Sequence, residues 1–226
     1  MTSVSNRPIS QPLLLAWCGW LLASLLLHLM LAGAGAFEVR EGLIQPIQRM
    51  LQSVMIGLVV IWPTWRLSQA HRDEGEWHVL SNWLCLVLVL QVTIWPLRYL
   101  IGQSDALGWS VQRTWVIDLT FVAWSWLVAA WVRLGVRRGT PAARSIVLVI
   151  IILLLLAGPL VATWTRRPEI GAISPYVSLW RLADPYVRLE TAVEVSRSAG
   201  VAVLGIAVWM LGRDAGGGGH PADPTL

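Results

Sequence analysis

The segment SIVLVIIILLLLAGPLVATW, residues 145–164, runs for twenty positions without a charged side chain. A helix of this length rises about 30 Å, which matches the hydrocarbon thickness of a bilayer. Soluble cores do not need such long apolar runs, so the segment predicts a membrane-spanning helix. Five further apolar stretches predict the same, and the last is long enough only if its helix begins before Ser198: 12–33, 46–65, 79–101, 114–134 and 199–211.

Composition agrees with a helical membrane protein. The 226 residues have a mean hydropathy of +0.62, and only 13% are charged. We therefore expect an all-α bundle of six transmembrane helices with short amphipathic helices at its outer interface. The expected divisions are an N-terminus at 1–11, a bundle at 12–212 that includes an outer segment at 165–198, and a Gly-rich tail at 213–226.

The basic residues predict the orientation. All seventeen are Arg, and they stand at the ends of apolar stretches instead of on a polar face, so nucleic-acid binding is not expected. The densest short basic loop predicts the cytoplasmic side, and it contains Arg133, Arg137, Arg138 and Arg144. With six spans, both termini are then cytoplasmic, and the expected location is the inner (plasma) membrane.

Most of the fifteen tryptophans lie near the ends of the predicted spans, as anchoring side chains at the headgroup layers do. Anchors are expected on the inner side at Trp62, Trp65, Trp77, Trp83 and Trp131 and on the outer side at Trp95, Trp109, Trp115 and Trp164. Only Trp124 and Trp126 clearly fall at mid-depth.

One carboxylate falls inside a predicted span. Asp118 lies about one turn below the outer edge of the fourth stretch, where an ionisable group normally faces the bundle interior and has a partner. Arg98, near the outer end of the third stretch, is the expected partner, and Arg113 is the local alternative. The pair is interpreted as a structural clamp, with a proton or substrate role as the open alternative.

The outer segment contains a ten-residue repeat, in which Ser174-Pro175-Tyr176-Val177 is followed by Asp184-Pro185-Tyr186-Val187. Ser or Asp before Pro is a helix-start signal, so two helices are predicted, at Pro175 and at Pro185. The second would be amphipathic and would lead into the last span, as either a packing lid or a gate.

Neither an enzyme nor a cofactor is expected. The chain has no Walker loop, HExxH motif or nucleophile elbow, so no catalytic and no metal-binding residues are assigned. A bis-His haem fails on depth, because His28 and His78 would be separated by about 20 Å of membrane.

The predicted topology of the chain resembles that of the membrane subunits of the six-span ABC exporter permease class. The likeness rests on two cytoplasmic termini, on Ser-Pro helix starts before the last span, and on the loop Arg72-Asp73-Glu74-Gly75-Glu76 after the second. One departure is the short N-terminus, which has a single Arg and no room for the basic amphipathic helix usual there.

The resemblance implies a transport or export permease whose ATP is bound by a separate cytoplasmic subunit. Arg72, Asp73, Glu74 and Glu76 would then form the loop that contacts that subunit. The lipid bilayer and other membrane subunits are the remaining expected partners. The alternative interpretation is a non-catalytic structural or assembly subunit of a larger membrane complex.

Overall fold

The computed structural model describes residues 11–32, 40–69, 76–102, 109–166, 171 and 174–214, and the regular structure within them is entirely helical. A π-helical turn, Gly57–Ile61, joins the second helix to the third. The helices of this part are α1 Gln11–Ala32, α2 Arg40–Ile56, α3 Trp62–Ser68, α4 Glu76–Gly102, α5 Val111–Arg138, α6 Pro141–Thr165, α7 Pro175–Ala183 and α8 Thr191–Asp214. The predicted all-α class is therefore confirmed for the described residues.

Within the described residues, five helical segments are long and apolar enough to cross a membrane: Gln11–His28, Ile44–Ser68, Val111–Arg138, Pro141–Thr165 and Thr191–Gly212. The α4 helix has 27 residues, but its described apolar part, Trp77–Val92, is shorter than a span. The chain thus has the helices of a multi-pass membrane protein, and the sixth crossing remains a prediction.

The α5 helix occupies the centre of the bundle, and 72% of its span is buried. Its buried residues include Arg113, Asp118 and Arg133, and charged side chains within a span normally face the bundle interior. The α5 helix packs against α4, α6, α7 and α8, and also against α3 and the π-helical turn. The α1, α6 and α8 spans are only 22% buried, so their outer faces are left for lipid.

The α5 and α8 helices run parallel along their whole length. The Thr120 hydroxyl lies 3.3 Å from the Ser198 hydroxyl near one end, and Arg133 approaches Gly212 near the other. The seam is the side of α8 that faces α5, and its residues are alternately four and three positions apart. They are Glu194, Ser198, Val201, Gly205, Val208 and Gly212. This heptad spacing is typical of helices that wrap around each other with a left-handed twist.

The π-helical turn coincides with a proline. Pro63 has no N–H to donate to the Val59 carbonyl, and its ring would crowd that carbonyl in a regular α-helix. The Trp62 N–H instead bonds the Gly57 carbonyl, five residues back, which widens the turn. Gly57 also lets α1 approach, since a Cβ there would lie 2.5 Å from Trp20 Nε1.

One Arg of the predicted basic loop belongs to the bundle interior. Arg133 is only 2% exposed, and its guanidinium carbon lies 4.1 Å from the centre of the Trp209 ring. Its Nη1 also donates to the Trp209 carbonyl. Cation–π and hydrogen-bond contacts replace water around this charge, so its assignment to the loop was wrong.

The tryptophans divide into two groups. Trp77, Trp115 and Trp164 are 78%, 65% and 86% exposed, as anchors would be. In contrast, Trp62 and Trp109 are buried, at 1% and 5% exposed, because neighbouring helices cover them. The anchoring assignment was therefore wrong for these two.

The two predicted helix starts had different outcomes. The α7 helix begins at Pro175, and the Ser174 side chain caps it by accepting a hydrogen bond from the Tyr176 N–H. The start at Pro185 was wrong, because 184–190 is a turn and irregular segment and α8 begins only at Thr191. The α8 helix then continues without a break to Asp214, so it does begin before Ser198, as the last span requires.

Candidate functional site

The α7 helix is a nine-residue segment packed among α2, α5 and α6. The side that faces them is buried: Pro175, Ser178, Leu179, Leu182 and Ala183. Because α7 is buried, its backbone N–H and C=O groups cannot bond water. The groups at its two ends have no partner within the helix and need one from another part of the protein. The α2 and α5 helices provide such partners, α6 accepts a hydrogen bond from the start of α7, and these contacts define the site.

Ser174 links α7 to α6. The Ser174 hydroxyl donates to the Leu155 carbonyl over 2.7 Å in a buried position. That carbonyl lacks its usual helical donor because Pro159, four residues later, has no N–H. One serine therefore caps α7 and also satisfies the backbone gap that a proline opens in α6.

Two glycines allow this close approach. A Cβ at Gly158 would overlap the Ser174 Cβ and the Gly171 carbonyl oxygen. A Cβ at Gly171 would lie 2.8 Å from the Ala162 Cβ. Side chains at these positions would push the segment before α7 away from α6 and would break the Ser174 bond.

The α2 helix contributes two glutamines one turn apart. Gln48 donates from Nε2 to the Trp180 carbonyl over 3.2 Å, and Gln52 donates to the Tyr176 carbonyl over 3.4 Å. Both side chains are buried, at 3% and 4% exposed. Because 124 to 132 residues separate the partners, these bonds fix α7 against a distant part of the chain.

Arg113 holds the other end of α7. This side chain, 7% exposed, donates to the Leu182 carbonyl over 3.0 Å, to the Val187 carbonyl over 2.6 Å, and to the Asp184 carbonyl. A cation is favourable there, because the carbonyl end of a helix carries partial negative charge. The planar guanidinium can serve several acceptors at once, which an ammonium group does less well.

The 184–190 connection begins as a turn instead of a helix. The Asp184 carbonyl accepts from Arg113 and also, over 3.3 Å, from the Val187 N–H three residues later, as in a turn. The Asp184 side chain accepts from the Tyr186 N–H over 2.9 Å, which stabilises a local turn. The 184–190 segment therefore crosses from α7 to α8 as an irregular connection held by Arg113.

The hydrogen bonds of the site attach α7 to the helices around it. An amide donor of α2 and the guanidinium of α5 bond backbone carbonyls of α7, and the Ser174 hydroxyl at the start of α7 donates to a backbone carbonyl of α6. Among the residues that the structure describes, no group of three His, Cys, Asp or Glu side chains comes together as metal ligands. The site is suited to holding one short helix in a fixed relation to α2, α5 and α6.

The structure leaves the predicted ion pair untested. Asp118 is 8% exposed and has an interaction partner within the protein, but the Arg98 side chain lies outside the described part. Asp118 shares a face of α5 with Ser125, which accepts a hydrogen bond from Trp83 of α4. Asp118 thus faces α4, and the pair remains a prediction. Arg113, the local alternative partner, instead bonds the carbonyls around the end of α7.

The predicted partner-contact loop lies largely outside the described residues. This applies to Arg72, Asp73 and Glu74, and the Glu76 side chain is also not described although its backbone begins α4. The loop therefore also remains a prediction.

The contacts of Gln48, Gln52 and Arg113 with α7 were not predicted from the sequence, although the sequence contains a signal near each of them. Gln48 and Gln52 form a polar pair at helical spacing in an otherwise apolar stretch, which indicates a shared polar contact. Arg113 lies three positions after Ser110, the residue that caps the start of α5, and the Ser110 side chain accepts a hydrogen bond from the Arg113 N–H over 3.2 Å. The Ser110 cap predicts where α5 begins, but it does not predict that the Arg113 side chain bonds carbonyls at the end of α7.

Comparison with known proteins assigns no family. The chain matches no protein-family model, no curated protein and no solved structure. The resemblance to exporter permeases therefore rests on the sequence features alone.

Proposed function

We propose that the chain is a permease subunit of a transport or export system that a separate cytoplasmic ATPase energises. The observation that carries the proposal is the short α7 helix, buried directly before the last long helix and held by side chains of α2 and α5 and by a backbone carbonyl of α6. Such a helix matches the place of the outer re-entrant helices that the resemblance implies. The chain itself is proposed to have no enzymatic activity.

The mechanical argument follows from the contacts of α7. Because α2, α5 and α6 each bond or contact this helix, a shift of any one of them strains its buried hydrogen bonds. The parallel pair of α5 and α8 extends from the α7 end to the opposite end, where Arg137 and Arg138 close α5. A partner that pushes on that opposite end would therefore act on α7 through packed helices.

Co-purification with the tagged full chain tests the proposal. A nucleotide-binding protein recovered in a fixed ratio supports the permease function. A double reversal, Arg72→Glu with Glu74→Arg, should weaken this recovery, whereas Arg188→Glu, at an exposed arginine of the 184–190 connection, serves as the control and should not. Recovery of respiratory or assembly subunits without a nucleotide-binding protein would contradict the proposal.

The second candidate is a structural or assembly subunit of a larger complex. The close packing around the middle of α5 favours this second function, since Ile117, Leu127 and Ala129 are no more than 1% exposed. The same purification distinguishes the two functions, because a scaffold would be recovered with other membrane subunits.

A further inference from the structure

A small apolar groove lies between α1, the π-helical turn, α3 and α4. It encloses about 30 Å³, room for a single methyl or methylene group, and its lining includes Ala16, Trp17, Trp20, Ile61, Trp62 and Trp65. Ala16 and Ile61 are exposed, so the groove opens on the outer surface of the bundle. In a multi-pass membrane protein that surface faces lipid chains.

The groove has rigid walls. The Trp17 indole donates to the Leu86 carbonyl and the Trp20 indole to the Ser53 carbonyl, each over 3.1 Å. The backbone below is the π-helical turn, and Gly57 leaves the room that both rings occupy. A preformed apolar groove costs little ordering entropy when a flexible chain enters it.

The end of the groove near α3 has an excess of hydrogen-bond donors. Trp62 is only 1% exposed, and its indole N–H and that of Trp65 have no acceptor among the described residues. Arg66 follows directly and brings a positive charge to the same turn of α3. Buried donors normally have acceptors, so this end is suited to an acceptor that the described part of the protein does not provide.

We propose that this groove binds one anionic phospholipid, with an acyl chain against the four tryptophans and the headgroup phosphate beside Arg66. Phosphate oxygens are acceptors with negative charge, which suits two indole donors and a guanidinium. The predicted orientation puts this end at the cytoplasmic headgroup layer, where basic pockets between helices bind anionic lipids. The proposal is independent of the permease function.

Native mass spectrometry tests the proposal. The purified full chain is incubated with an equimolar mixture of phosphatidylglycerol and phosphatidylcholine of identical acyl chains, and the lipids that stay bound are identified by mass. One bound lipid should remain, with phosphatidylglycerol preferred about fivefold, the effect of one basic side chain near the headgroup. Ala16→Leu fills the mouth of the groove and should lower retention about fourfold for each methylene group it displaces. Cys18→Leu, on an exposed face of α1 outside the groove, is the matched control and should bind as the unmodified chain does.

Headgroup recognition is tested separately. Arg66→Gln should remove the preference for phosphatidylglycerol, whereas Arg137→Gln, an exposed arginine in the last turn of α5, should retain it. Should Arg66→Gln fail to fold, Arg66→Lys replaces it and should retain the preference because the charge remains. Equal binding of the two lipids, normal retention by Ala16→Leu, or displacement of the lipid by inorganic phosphate alone would each overturn the proposal.

Discussion

At the scale of single residues, Ser174 performs two tasks that are usually separate. It caps α7 through the Tyr176 N–H, and it donates to the Leu155 carbonyl that Pro159 leaves without a helical donor. A buried carbonyl without a donor costs about 1–3 kcal/mol, and a lost cap costs about 1 kcal/mol. The serine therefore stabilises the contact between α6 and α7 from both sides.

A double-mutant cycle tests this account of Ser174. Ser174→Ala should lower the free energy of unfolding in detergent micelles by about 2 kcal/mol. In a Pro159→Ala background the loss should be smaller, because the introduced alanine would supply the missing N–H to the Leu155 carbonyl. Ser196→Ala is the control, since that hydroxyl is exposed and bonds only its own helix at the Ala192 carbonyl. Equal losses in both backgrounds would contradict the proposed bond.

At the scale of helices, the pairing of α5 with α8 depends on small side chains at the seam. Gly205 lies against Trp126 and the backbone of Leu127, so its lack of a side chain sets the distance between the two helices. Trp126 in turn stacks on Trp209 of α8, with ring centres 5.0 Å apart. A larger residue at the glycine would disturb both contacts.

Two alanine substitutions on α8 test the seam. At Gly205 a Cβ would lie 2.5 Å from Trp126 Cδ1, whereas at Gly200 it would meet nothing within 4 Å. Gly200→Ala should raise stability by up to about 1 kcal/mol, because alanine favours the helix. Gly205→Ala should lower stability by about 1–3 kcal/mol despite the same gain, owing to overpacking. Thermal unfolding in one detergent measures both, and equal effects would contradict the seam.

These helices also show how far sequence reasoning extends. The apolar stretches predicted the long helices, and the Ser174-Pro175 signal predicted the start of α7, because both depend on local interactions. The same signal failed at Asp184-Pro185, where Arg113, 71 residues earlier in the chain, bonds the Asp184 carbonyl of a turn. A local sequence pattern does not reveal such contacts between distant residues. The heptad seam of α8 was visible in the sequence but was overlooked.

At the scale of the whole molecule, the bundle is arranged around α5. Its neighbours bury 72% of its span, and the more exposed α1, α6 and α8 present apolar faces outward. This arrangement could be inferred only in part from the sequence, since the order of the spans around the centre depends on contacts between distant segments. Six crossings would place the two ends of α4 on opposite sides of the membrane.

The α4 crossing is the most direct test of the proposed architecture. In a chain with Cys18→Ser and Cys85→Ser, single cysteines replace the exposed residues Gln69, after α3, and Gln112, at the start of α5. A membrane-impermeant maleimide added to intact cells should label Gln112→Cys, and it should label Gln69→Cys only after the membrane is opened. Labelling of both positions from the same side would contradict the six-span bundle.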